Sequence, residues 1–450
     1  MRLNLNSPIA SFPPELLHFI LDEYRPVYDA EFIELIPTRK AKVPKNWALY
    51  ASELHFFAQL RLVCRAWYNF ITPLLYSTFT LPTHPYEDLE RVSKGLNYYP
   101  KLVDHLVLRG HLGDGAVQHA VELLAACLSQ CTEIRTLEIL DAHRIFRSSS
   151  KSKSMAIFRA LPSTVPLNRL IFRFPRRHTL RAYPISVTLL GLGPLSQKLE
   201  TLEIHDPYER NDDTILDVPS TFPNLQRLVA RSSGFNEYDL PKLVSRICYK
   251  VTPPSITLGS SIGSSSRHER AIRLRDLTLC WNGIPQVVDC IPRLLETDGL
   301  GRILTSLYIY SAHFHLRHDA AVKLLTFPNE IIAACPRLET FIYFIACPDT
   351  ILTLQLPRTL KTLGLSLVQD HHHYSSWAPT NPKPLTLRHH KQLVDWLEKT
   401  NGGGIRKLLL QRWVAKESDT LVGLEDVKKA CLAADIDLAL SRELPTYLRR

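Results

Sequence analysis

One unit, apolar-x-x-apolar-x-apolar, recurs along most of this chain and constrains its fold more than any other feature. It reads VDHLVL from Val103, IRTLEI from Ile134, LNRLIF from Leu167, LETLEI from Leu199 and LQRLVA from Leu225. It continues as LRDLTL from Leu274, LTSLYI from Leu304, LETFIY from Leu338, LKTLGL from Leu360 and IRKLLL from Ile405. Successive starts lie 31, 33, 32, 26, 49, 30, 34, 22 and 45 residues apart. Alternating apolar positions at the end of each unit predict a short strand with one side on a core. Between many copies lies a segment of helical period: 116–128, 156–161, 287–296, 320–325 and 389–399 place apolar groups at i, i+3 and i+4. Each unit is therefore a strand plus a helix. Neither buries its apolar side alone, and stacking the units produces a continuous core.

The residues ahead of the strands agree. YPKL, FPNL and CPRL, from Tyr99, Phe222 and Cys335, put an apolar residue and a proline before the first strand leucine, where a helix has to stop. Cys131 and Cys335 lie three residues ahead of a strand's first apolar position, a slot filled elsewhere by Tyr99 and Phe222, and are expected as buried thiols. The nine cysteines have no dense spacing of the kind that staples secreted domains, so all are read as reduced. The tail segment 424–440 predicts one more helix and a closing strand.

With 450 residues the chain exceeds what one compact core usually holds, which an elongated repeat array explains. The N-terminal MRLNLNSPIA carries no apolar signal region, and no run reaches the ~18–20 apolar residues of a membrane span, so an intracellular chain without a membrane partner is expected. The net charge of +10 is spread out, densest in FRFPRRHTLR at 172–181. Such a balance suits an acidic partner, and the absence of an aromatic-interleaved basic motif disfavours nucleic acid. RSSSKSKS at 147–154 and GSSIGSSSR at 259–267 read as solvated excursions from the array.

Ahead of the repeats, the segment QLRLVCRAWYNFITPLLY at 59–76 is unusually apolar. Phe56, Leu60, Val63, Trp67, Phe70 and Leu74 are spaced 4, 3, 4, 3 and 4 and would share one helical face, with a break expected near Pro73. Leu62 and Ala66 add a second stripe. Upstream, SFPPELLHFILDEY at 11–24 predicts a helix capped by Ser11, with its prolines in the first turn and apolar residues nearly all round. Short helices with this much apolar surface suit docking to another protein.

Two resemblances follow from these residues. From about 100 to 440 the hydrophobic skeleton resembles a leucine-rich-repeat solenoid of the degenerate kind found in fungal proteins, with periods mostly longer than the usual ~20–29 residues. The consensus Asn or Cys after the last leucine is mostly missing. Phe12-Pro13-Pro14-Glu15-Leu16-Leu17, followed by Leu60-Arg61-Leu62-Val63-Cys64-Arg65-Ala66-Trp67 and Pro73-Leu74-Leu75-Tyr76, resembles an F-box. That resemblance implies an α/β chain: F-box-like helices at 8–80, with an insert at 24–52, then a solenoid at 98–445 whose about ten to eleven strand-helix repeats form a curved parallel sheet. It further implies docking to a Skp-type adaptor through Phe12, Pro13, Pro14, Leu16, Leu17, Ile20, Leu60, Val63, Cys64 and Trp67, and through the adaptor attachment to a cullin-RING ubiquitin ligase. Phe12 replaces the family's usual Leu, and the 24–52 insert separates the two halves by more than a simple F-box would. A surface loop there leaves the motif intact, whereas one folded across the adaptor face blocks it. The same helices could also simply cap the array.

Residues alternating with the core positions are expected on a concave face, and Arg169, Arg173, Glu203, His205, Arg227, Arg231, Tyr308 and Tyr310 are the candidates to grip an acidic substrate segment. Ile171, Val229, Thr278 and Cys280 share that face. His313, His315 and His318, and the run His371-His372-His373, lack the carboxylate or cysteine spacing of a metal site and are read as solvated. No phosphate-binding glycine loop or nucleophile elbow is present. The expectation is a non-catalytic substrate receptor without cofactor or metal, with a ligase-independent repeat scaffold as the alternative.

Overall fold

The computed structural model describes residues 55–56, 58–62, 65–82, 94, 96, 98–109, 117–140, 158–173, 193–205, 222–232, 273–281, 291, 295, 300–311, 328–344, 354–365, 390–400, 404–411 and 423–441. The chain divides into two compact units, Met1–Thr179 with Val187–Lys198, and Leu180–Ser186 with Leu199–Arg450.

In the first unit, helix α1 (Arg65–Ser77) runs directly into strand β1 (Thr78–Pro82), followed by β2 (His105–Arg109), α2 (Val117–Gln130), β3 (Thr136–Leu140) and β4 (Arg169–Arg173). The second unit holds β5 (Thr201–His205), β6 (Arg227–Ser232), β7 (Asp276–Trp281), β8 (Ser306–Ser311), β9 (Thr340–Phe344) and β10 (Thr362–Leu365). It ends with α3 (His390–Thr400), β11 (Lys407–Gln411), α4 (Leu424–Ala433) and β12 (Asp437–Ser441). The twelve strands are ordered as in the sequence, and within each unit every described pairing is parallel and joins consecutive strands. The fold class is α/β. Among the described residues no helix is long and apolar enough to cross a membrane.

All ten copies of the apolar unit form strands, β2 to β11, and the tail supplies β12. Their first apolar residues, Val103 through Ile405, are all buried, as are the leucine-type positions inside each strand, such as Leu106 and Leu108 or Leu307 and Ile309. Each fully buried leucine or isoleucine contributes about 1.5–3 kcal/mol, so the repeated skeleton dominates the stability of both units. Helices follow the expected segments: α2 buries Cys127 and Leu128, α3 buries Leu393 and Leu397, and α4 buries Val427, Ala430 and Cys431. Residues 158–160 and 328–334 are helical as well. The expected helix at 320–325 lies outside the described residues.

Register is maintained at the strand entrances by the backbone alone. The Asp104 carbonyl accepts both Arg135 N–H at 2.8 Å and Thr136 N–H at 3.0 Å, and the Arg135 carbonyl accepts Asn168 and Arg169 N–H in the same way. In the second unit the same forked bond recurs from Glu200 to Gln226, Arg275, Thr305, Glu339 and Lys361. No particular side chain is required, which explains how the strands repeat regularly without the consensus Asn.

Two local features differ from expectation. Strand β1 lies inside the segment read as F-box-like helix, and Thr78 to Pro82 pair with His105 to Arg109, so the parallel array begins at 78 and not near 98. Thr-Phe-Thr-Leu alternates with period two and buries Leu81, and the terminal Pro82 is tolerated because it ends an edge strand. Pro73 does not break α1, which continues to Ser77. The proline is exposed, and continued packing around Ile71 outweighs one lost helix bond. A turn closed by Leu62 N–H to the Gln59 carbonyl at 3.0 Å interrupts the 56–74 stripe instead.

Gly301 makes the tightest contact in the second unit: a Cβ there would lie 2.3 Å from the Ala334 carbonyl oxygen and 3.1 Å from that of Leu295. Both are main-chain atoms that cannot rotate away. Gly301→Ala should therefore lower stability by about 1–3 kcal/mol, read as a reduced urea midpoint with an unchanged slope.

Candidate interaction surfaces

Phe12, Pro13, Pro14, Leu16, Leu17, Ile20, Val63 and Cys64 lie outside the described residues, as do the 24–52 insert and both histidine groups. Of the adaptor-face candidates, Leu60 and Trp67 are described. Both are half-buried and pack with Phe70, Leu74 and Leu75 around Ile71. Helix α1 thus turns part of its apolar stripe inward, and Trp67 supports the motif more than it displays it. Its indole Nε1 is buried without a hydrogen-bond partner among the described residues, as is Arg61 Nε.

The outward apolar surface comes from residues not assigned to the adaptor face. Phe56 is 54% exposed, Leu62 57% and Tyr68 38%. The Arg61 guanidinium lies 6.0 Å from the Tyr68 ring centroid. Tyr68 and Tyr99 share a hydroxyl–hydroxyl hydrogen bond of 2.5 Å, which raises the Tyr99 phenol above its ordinary value. Tyr99 also packs on Tyr76 at 4.5 Å, tying α1 to the entrance of β2. Leu62 belonged to the second stripe of the sequence pattern, so its exposure was foreshadowed. The tyrosine cluster was not, because residues 31 positions apart meet only in the fold.

The strand face presents less than expected. Middle-row residues Glu138 and Ile171 in the first unit, and Glu203, Val229, Thr278 and Ile342 in the second, are all buried. Glu203 and His205 bond each other, Nε2 to Oε2 at 3.1 Å. Tyr310 is buried with Ile342 and Phe344, meeting the Phe344 ring edge-on at 5.5 Å, and the half-buried Tyr308 packs against this cluster. The Arg231 side chain lies outside the described residues. Only Arg169 and Arg227, first residues of β4 and β6, are exposed. The expected open grip formed by Glu203, His205 and Tyr310 is therefore absent, because the described strands are largely buried on both faces, these polar residues included. Runs such as RLIF in β4, TFIYF in β9 and KLLL in β11 carry that signal in the sequence.

Arg173 is committed to a buried acid. Its Nε donates to Glu138 Oε1, while His105 Nε2 lies 3.3 Å from Glu138 Oε2, and Glu138 is 1% exposed. Three neighbouring strands contribute the three groups: His105 from β2, Glu138 from β3 and Arg173 from β4. Burial pushes the Glu138 carboxyl up, but the His105 contact and the Arg173 charge and hydrogen bond outweigh it and hold the carboxyl below its usual range. The cluster is a charge clamp across the sheet.

The thiols bear out their reading. Cys131 and Cys335 are buried as expected, Cys127 and Cys431 are buried too, and burial pushes Cys131 and Cys335 up to about 12. Thiols of this kind are poor nucleophiles at neutral pH. Among the described residues no group of three or more His, Cys, Asp or Glu is placed to hold a metal.

Because Glu138 titrates below its unfolded value of roughly 4.3, its clamp stabilises the fold above that pH and the contribution is lost as pH falls through the depressed folded value. Arg173→Met should cost about 3–5 kcal/mol at pH 7 by leaving a buried carboxylate under-compensated. Urea unfolding of both proteins from pH 7 to pH 3 should show that gap narrowing in acid. No known family model matches this chain and no curated protein matches its sequence, so the functional reading rests on the residues themselves.

Proposed function

We propose that this protein is a non-catalytic substrate receptor: an F-box-like N-terminal segment docks a Skp-type adaptor of a cullin-RING ubiquitin ligase, and a leucine-rich-repeat solenoid holds the substrate. The reading is carried by one juxtaposition. Exposed Phe56 and Tyr68 flank the Leu60–Trp67 motif and exposed Leu62 lies within it, just ahead of α1, which enters the parallel array directly at β1. Apolar and aromatic groups left in water beside a rigid repeat array suit a partner that covers them. Phe12-Pro13-Pro14-Glu15-Leu16-Leu17 supplies the other half of the motif. Function would then arise from proximity, by raising the concentration of a target beside the transfer machinery.

Co-purification with a Skp-type adaptor tests this. The wild-type chain should capture the adaptor, and Val63→Asp combined with Trp67→Ala should abolish capture. Because Trp67 packs on Ile71, that double variant also loses stability, so Leu62→Asp is the cleaner probe. Leu62 is exposed; its replacement should weaken adaptor binding about tenfold or more while leaving the thermal midpoint unchanged. Absence of capture by the wild type would refute the ligase reading and leave a repeat scaffold.

A further inference from the structure

Five consecutive strands of the second unit share a feature that the fold itself does not use. Ahead of β7, β8, β9, β10 and β11 stand Arg275, Arg302, Arg337, Arg358 and Arg406, each within four residues of its strand's start and each exposed. None of the five has an ion-pair or hydrogen-bond partner for its guanidinium among the described residues.

The forked backbone bonds place these strand entrances in register. Thr305 N–H donates to the Arg275 carbonyl, Glu339 to Thr305, Lys361 to Glu339 and Arg406 to Lys361, so Arg275, Thr305, Glu339, Lys361 and Arg406 form a single row, and Arg302, Arg337 and Arg358 stand three or four positions ahead of their strands on the same edge. Adjacent parallel strands lie about 4.8 Å apart, so the row spans roughly 19 Å. Five exposed arginines over that span make this edge cationic. Acid on this edge offsets little of that charge. Glu339 is bonded to Lys361 at 2.6 Å, Asp437 lies 3.9 Å from Lys407, and Asp276 is only partly exposed.

We infer that this edge of the second unit binds an Asp/Glu-rich protein segment lying across the entrances of β7 to β11. Guanidinium forks match carboxylates bidentately, and a chain of about six extended residues spans the row. A nucleic acid fits less well, because single strands need stacking platforms. The strongly exposed aromatic side chains among the described residues, Phe56, Tyr68 and Tyr98, all belong to the first unit. The inference moves the acidic partner from the buried strand face to the sheet edge. It rests on the substrate-receptor reading only for the fate of the bound segment, not for the binding.

The test uses the full chain with two fluorescent probes, a twelve-residue polyglutamate peptide and a twelve-nucleotide oligouridylate, read by anisotropy at 50 and 300 mM salt. Wild type should bind the peptide, more weakly at high salt, and the triple variant Arg275→Glu, Arg337→Glu, Arg406→Glu should bind it at least about tenfold more weakly. The milder triple Arg→Gln variant, which keeps side-chain size, should show a substantial part of that loss with an unchanged thermal midpoint. Peptide binding that is absent in wild type or equal in the variants overturns the inference, as does tighter binding of the oligonucleotide than of the peptide. Adaptor capture by the same triple variants should be unaffected. Loss of adaptor capture in wild type with peptide binding intact would remove the ligase reading and leave this edge assigned.

Discussion

A parallel strand cannot satisfy its own backbone, and in this protein every described strand obtains that satisfaction from its sequence neighbours. The forked bond at the entrances of β3, β4 and β6 to β11, one carbonyl accepting two successive N–H groups, sets where each of these strands starts relative to the last. Because a one-residue slip would exchange buried and exposed positions, this start point decides which residues reach the core. Leu277, Leu307, Phe341, Leu363 and Leu408 pair in one buried row for that reason. Successive repeats start 22 to 49 residues apart with no penalty to the register, since the ladder is rebuilt from one strand to the next.

The same register creates the charged features. Glu138 acquires its two cationic neighbours because β2, β3 and β4 align His105, Glu138 and Arg173 diagonally across adjacent strands. One carboxylate is stabilised by groups 33 and 35 positions away in sequence, and it would be a costly buried charge without them. At the entrances of the second unit, alignment has the opposite effect. Arginines ahead of five consecutive strands are gathered at one edge with fewer acids than bases around them, an arrangement that suits an anionic visitor.

The central strands are closed on both sides, which removes an open concave grip and shifts exposure to the strand entrances and to α1. Gly364 shows how closely the second face packs: a Cβ there would lie 2.6 Å from Ile342 Cδ1. In the same region Tyr310, Ile342 and Phe344 form a buried cluster of their own, with Tyr308 and Leu409 against it. Long polar side chains remain in water at the strand entrances, as at Arg169, Arg227, Arg275 and Arg406.

By itself the sequence determined the repeat, the alternation of strand and helix, the positions of β2 to β12, and the burial of Cys131 and Cys335, because these depend on local periodicity and the water-avoidance of apolar side chains. It also displayed the residues that resemble an F-box. Tertiary structure alone decided that β1 joins the array, that Trp67 turns toward Ile71 while Leu62 turns outward, that Glu203 and His205 are buried on each other, and that five arginines gather at one edge of the second unit. Those outcomes depend on which distant segments become neighbours. A single strand's pattern cannot state that, because the register linking it to the next strand resides in backbone bonds that carry no side-chain signature.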